Sequence, residues 1–125
     1  MVLKTDTPRS VDISGECCTL LECVMLAQAQ EMCFELLAAK KATSSAIKWA
    51  TLAQVAACAA ELYTSAAEAY LKPALVRHVQ REWGESNKAK ALMYRAESHL
   101  LQVRLRCSVA CFAEAALQHT WARAA

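Results

Sequence analysis

Only two glycines and two prolines punctuate these 125 residues, against 26 alanines. That scarcity constrains the chain more than any other feature. A sandwich or barrel needs a turn residue every few positions, and Gly15, Gly84, Pro8 and Pro73 cannot supply them. Long helices remain. With 56% hydrophobic and 21% charged residues the chain can bury a core, and its length suits one domain and not two. The expected fold class is therefore all-α, made of long antiparallel helices in helical hairpins.

Charge narrows the function. Fourteen basic and twelve acidic side chains leave a net charge of +2, too balanced for nucleic acid as the main partner. The second half is the more basic, and its Arg77, Arg81, Lys88, Arg95, Arg104 and Arg106 read as solvated surface or as a face for loose, salt-sensitive contact with anionic lipid. Residues 20–39 are long and apolar enough to invite a membrane reading. Glu22, Glu31 and Glu35 oppose it, at roughly 2.5 to 3.5 kcal/mol per ionised group at mid-bilayer. The expectation is a soluble, cytoplasmic protein with at most peripheral membrane contact.

Seven cysteines, with no secretory signal in residues 1–9, read as reduced thiols filling a helical core. The odd count argues against a closed disulfide framework. Cys107, Cys111 and His119 lie on one predicted helix but lack a second close pair to complete four zinc ligands, so no metal is expected. There is no glycine-rich phosphate loop and no nucleophile elbow, and no catalytic residue or cofactor is expected. A thiol-based sensor using Cys107 and Cys111 is the contrasting reading, and it predicts bound zinc or a loss of two hydrogens on mild oxidation.

Along the chain, residues 1–14 read as an extended lead-in and residues 15–125 as a single helical domain. A first helix is expected from about residue 16 to residue 41, apolar around most of its circumference and so central and largely buried. A second runs from about residue 44 to residue 71. Its wet stripe is Lys48, Thr51, Gln54, Glu61, Ser65 and Glu68, and its packing face is Trp49, Leu52, Ala56, Ala59, Leu62, Tyr63 and Ala66. Pro73 suits the first turn of a third helix. That helix packs through Val76, Val79 and Trp83 and continues past Gly84, straight or mildly kinked, to His119.

One segment is more specific than helical periodicity. Asp12-Ile13-Ser14 followed by Val24-Met25-Leu26-Ala27-Gln28-Ala29-Gln30-Glu31 resembles the signature helix of the BRO domain family, that of Alix and the rhophilins. Ala59-Ala60-Glu61-Leu62-Tyr63, and then Trp83, Lys90, Tyr94, Ala96 and His99, resemble two later family segments in the right order. Leu26, Gln28, Gln30, Glu31, Tyr63, Trp83 and Lys90 are the structural signature on this reading.

The resemblance implies a TPR-like array and covers the central to C-terminal helices of a larger domain. It implies a non-enzymatic adaptor of endosomal sorting, cytoplasmic and recruited to endosomes. Such an adaptor binds the amphipathic C-terminal helix of an ESCRT-III subunit of the charged multivesicular body protein class. The family's apolar contact patch follows the signature and falls here on Met32, Cys33 and Phe34. Ile47, Trp49 and Leu52 stand at the start of the next helix as further contacts by position. The chain departs from the pattern in several ways: the family's early helices and small sheet are absent, Cys33 replaces a large apolar residue, the span between Phe34 and Tyr63 is about two turns longer, no lysine precedes Leu62-Tyr63, and no glycine-containing stretch is evident near Cys107–Ala116.

Each of these residues also has a plainer reading. Phe34 and Met32 suit a core. Trp49 and Trp83 suit packing anchors. Gln28, Gln30 and Glu31 suit buried hydrogen bonds that hold neighbouring helices in register. Apart from an adaptor, the composition also fits a helical interaction module that self-associates through an apolar groove, the more so if part of the first helix is left exposed.

Overall fold

The computed structural model describes residues 14–124, all of them helix or short connection. The proposed lead-in lies outside the described residues except for Ser14. Four helices follow in order: α1 (Gly15–Thr43), α2 (Trp49–Tyr70), α3 (Pro73–Val76) and α4 (Arg81–Ala124). The fold is all-α, as expected, and no strand occurs among the described residues.

Local chemistry sets the ends of α1. The Ser14 hydroxyl accepts the Cys17 backbone N–H at 3.2 Å, satisfying one of the orphan donors of the first turn. Glu16 occupies the positive end of the helix dipole, and Lys40 and Lys41 the negative end.

The three long helices meet along seams with alternating spacings of three and four residues. α2 contributes Leu52, Ala56, Ala59, Tyr63, Ala66 and Tyr70, all buried. α4 contributes Gly84, Asn87, Ala91, Tyr94, Ser98 and Leu101, also buried. On α1 the inward positions are Leu20, Val24, Ala27, Glu31, Phe34 and Ala38. This left-handed coiled-coil spacing lets straight helices stay in contact over several turns. Alanines at the centre (Ala27, Ala59, Ala60 and Ala91) let the backbones approach closely around Tyr63 and Tyr94.

The buried element is α2 and not α1. α2 packs on both α1 and α4, whereas α1 buries only Cys17, Leu20 and Ala27 fully. The outer face of α1 leaves Leu21, Met25, Leu26, Met32 and Leu36 exposed. The all-round apolar character of α1 therefore marks an uncovered face. The cysteines depart from core filler in the same way: Cys17 is buried and Cys23 half-buried, while Cys18, Cys33, Cys58, Cys107 and Cys111 are exposed free thiols.

The third expected helix is interrupted before Gly84 and not at it. α3 ends at Val76, and residues 77–80 turn the chain before α4 begins. Leu75 is fully buried with Cys17, Leu20, Ala69 and Tyr70, and Val79 packs on the same cluster. The Tyr70 hydroxyl donates to the Val79 carbonyl at 3.4 Å. One unbroken helix could not drop Leu75 and Val79 into the end of the α1–α2 pair and still run back along α2. Trp83, expected as an anchor, is 44% exposed as a result.

Gly84 sits inside α4 against the Tyr70 ring. A Cβ there would overlap that ring, lying 2.6 Å from Cε1. Gly84→Ala gains about 1 kcal/mol of helix propensity but overpacks a buried aromatic contact, at about 1–3 kcal/mol. The expected outcome is a net loss of stability, read as a lower urea midpoint; an unchanged or raised midpoint would show that the ring yields freely.

Candidate functional site

Two arrangements of side chains stand out where α1, α2 and α4 converge. The first is polar. Glu31 of α1 receives the Lys90 ammonium of α4 on both carboxylate oxygens, at 2.8 and 3.1 Å, and also accepts the Tyr63 hydroxyl of α2. Lys90 donates to the Tyr63 oxygen at 3.2 Å and lies 5.2 Å from the centre of the Tyr63 ring. Tyr63 stacks on Tyr94 with 6.0 Å between ring centres, and Phe34 meets Tyr94 edge-on at 5.6 Å. One residue from each long helix thus joins a single charged network, walled by aromatics.

The energetics follow from that packing. Burial pushes the Glu31 carboxyl up, but the Lys90 and Tyr63 hydrogen bonds and the Lys90 charge outweigh it, and the net is below the ordinary 4.5. The bond to Glu31 holds Lys90 above its ordinary value despite some desolvation. Tyr63 is raised by burial first and by Glu31 second. Tyr94 is raised strongly, again by burial and then by the Glu31 charge. Among the described residues no buried side-chain nitrogen or oxygen is left without a partner.

The second arrangement is a pocket of about 260 Å3 between α1, α2 and α4. Phe34, Ala38, Leu52 and Leu101 give it an apolar lining, and Trp49 stands at its edge. Two cations flank the indole: Lys41 Nζ lies 4.7 Å and Arg104 Cζ 5.5 Å from the ring. Glu97 lines it as well, so the pocket is greasy inside and ringed by two cations and one carboxylate.

Of the residues anticipated as partner contacts, Phe34, Trp49 and Leu52 come together in this pocket, and Ile47 packs beside it. Leu52 is only 2% exposed, so it forms the pocket's floor. Met32 and Cys33 are exposed on α1 and do not line the pocket. Met32 is therefore no core residue, whereas Phe34 joins the core through Tyr94. Within the signature, Glu31, Tyr63 and Lys90 meet directly, and the Gln30 amide donates to the Val55 carbonyl at 3.3 Å. Leu26 and Gln28 are exposed, so the register-holding role expected of Gln28 falls to Gln30 and Glu31 alone. The sequence reading missed Ser98, and it placed Tyr94 only in a family segment and Arg104 only on a basic face. Ser98 is buried and donates to the Ala53 carbonyl at 2.9 Å.

Among the described residues no three His, Cys, Asp or Glu side chains gather as metal ligands would, and no helix is long and apolar enough to cross a membrane. What the geometry defines is a small helical module with a clamped core and an apolar pocket beside it. The sequence identifies the module: residues 1–123 match the BRO1-like domain, and the chain belongs to that family of protein-interaction domains. No curated protein and no solved structure matches the chain.

The clamp predicts a pH profile. A lowered carboxylate stabilises the fold above pH 4.5, and that contribution is lost as pH falls through the lowered folded value. A raised lysine and a raised tyrosine stabilise it below their ordinary values of 10.5 and 10.0, and that contribution is lost as pH rises through the folded ones. Stability should therefore plateau between these limits and fall on both sides. Glu31→Gln should flatten the acid limb. Lys90→Met should cost about 1–2 kcal/mol, less than for a fully buried pair because Lys90 is 38% exposed. Chemical denaturation across pH checks all three. Gln30→Leu should lose about 1 kcal/mol and Gln28→Leu essentially nothing.

Proposed function

We propose that this protein is a non-enzymatic adaptor of endosomal sorting that docks the amphipathic C-terminal helix of an ESCRT-III subunit. The observation that carries the reading is the cation-flanked apolar pocket at Phe34, Trp49 and Leu52 in a chain of the BRO1-like domain family. In helix-in-groove binding a few apolar anchors supply the energy and a polar rim sets the register. Here the anchor enters the pocket beside Trp49, a neighbouring carboxylate meets Lys41 or Arg104, Met32 and Cys33 extend the contact along α1, and Ile47 extends it along the connection before α2. In the cell the adaptor is cytoplasmic and brought to endosomes by that helix.

Amide NMR of the reduced protein with an ESCRT-III C-terminal helix peptide tests this. Shifts should cluster on residues 30–52 and on Leu101 and Arg104. Lys41→Glu with Arg104→Glu should weaken binding tenfold or more, which is about 1.4 kcal/mol, and 0.5 M salt should weaken the unaltered protein in the same sense. Met32→Asp, an exposed site whose change leaves the core intact, should weaken it further. A folded, well-dispersed spectrum indifferent to the peptide would overturn the proposal.

A further inference from the structure

A second and larger depression lies away from the Trp49 pocket, between α2 and α4, with a volume of about 440 Å3. Its floor is low because Ala67, Gly84 and Ala91 face one another across the two helices. Two leucines stand uncovered in it: Leu71, 69% exposed, and Leu92, 58% exposed. Isolated exposed leucines are ordinary, but two in one apolar groove with charged edges are the mark of an interface.

The edges carry opposite signs. On α2 the exposed Glu61 and Glu68 are seven residues apart, and on α4 so are the exposed Lys88 and Arg95. Arg81, one step further along α4, is already paired with Glu85 at 2.7 Å. Cross-helix contacts fix the levels of these charges. Tyr70 lies against Gly84, Arg95 donates to the Thr64 hydroxyl, and Ser98 donates to the Ala53 carbonyl, so α2 and α4 run antiparallel. Glu68 therefore stands near the level of Lys88, and Glu61 near that of Arg95.

We infer that this face binds a second copy of the same chain. A two-fold axis running along the groove lays α2 of each copy over α4 of the other and keeps every residue at its own level. Acid then meets base twice on each side: Glu68 across from the partner's Lys88, and Glu61 across from the partner's Arg95. The reversed directions of α2 and α4 make all four neighbouring helices antiparallel, the arrangement of an up-and-down four-helix bundle. Leu71 and Leu92 of both copies fill its centre, and the charges at seven-residue spacing cross its seams as in a coiled coil. Arg95 still has N–H donors to offer after its bond to Thr64. The contact is isologous, so it closes at two subunits and leaves the Trp49 pocket of each copy free.

Sedimentation equilibrium of the reduced full chain supplies the test. The unaltered protein should show the dimer mass, with dissociation increasing in high salt. Glu61→Lys with Glu68→Lys should be monomeric, and so should Lys88→Glu with Arg95→Glu, because each variant opposes like charges. All four positions are exposed, and circular dichroism should show both variants fully helical. Mixed in equal amounts, the two monomeric variants should form a one-to-one heterodimer, since one seam then keeps its native pairs and the other regains its pairs with the signs exchanged. A monomeric unaltered protein at all concentrations would overturn the inference. So would dimers indifferent to these charges, or dimers lost instead on Met25→Asp in the outer face of α1. None of these outcomes depends on the ESCRT-III peptide, so this inference and the adaptor reading fail separately.

Discussion

The structure hinges on one acid at the meeting of three helices. Glu31 of α1 is hydrogen-bonded from both α2 and α4, through Tyr63 and Lys90, and its partners are packed in turn by Tyr94 and Phe34. Apolar contacts between alanine-faced helices are weakly directional, and alanine seams can slide by a turn with little change in buried area. A charge that must be matched at one level removes that freedom. Sliding α4 by one turn would strand Glu31 half-buried without its cation, a far greater cost than repacking alanine on alanine. The network thus selects the alignment, and the small-residue seam supplies the contact area.

That division of labour explains which parts of the fold were legible in the residues. The helical character of the chain, the start of α1 and the wet and dry faces of α2 all follow from composition and spacing, because α2 is apolar inside and polar outside. The packing of α1 and α4 was harder to read for opposite reasons. α1 is apolar on both sides, and hydropathy does not distinguish a face against α2 from a face open to water. α4 buries small or polar residues (Gly84, Asn87 and Ser98) and exposes Leu92, Met93 and Leu100, so its apolar residues point to the wrong face. The better signal was the three- and seven-residue spacing of small residues on α2 (Ala56, Ala59 and Ala66) and the seven-residue spacing on α4 (Gly84, Ala91 and Ser98). Size, more than hydrophobicity, marks the seams here.

The same logic applies to the site. Glu31, Tyr63 and Lys90 could be singled out because they stand in recognisable family segments, although their contact with one another is written in no local pattern. Phe34 and Trp49 were visible as large apolar residues near the signature. The cations beside Trp49 were not, because Lys41 and Arg104 are brought together from helices more than sixty positions apart in sequence. Gln28 and Gln30 are two residues apart in one motif and look alike, yet α1 turns one to water and the other to the Val55 carbonyl.

α4 is twice the length of α2, 44 residues against 22, or about 66 Å against 33 Å. From Arg106 to Ala124 every residue but Ser108 is exposed. Among the described residues that half of α4 lies almost wholly open to solvent, and helices in proteins draw most of their stability from packing. One covalent helix therefore spans two regimes. The stretch along α2 should open only with the whole fold, while the outer stretch should open more readily. Amide protons should record this as a steep fall in exchange protection along a single element, with the step near Leu101, where the bundle ends and the helix does not.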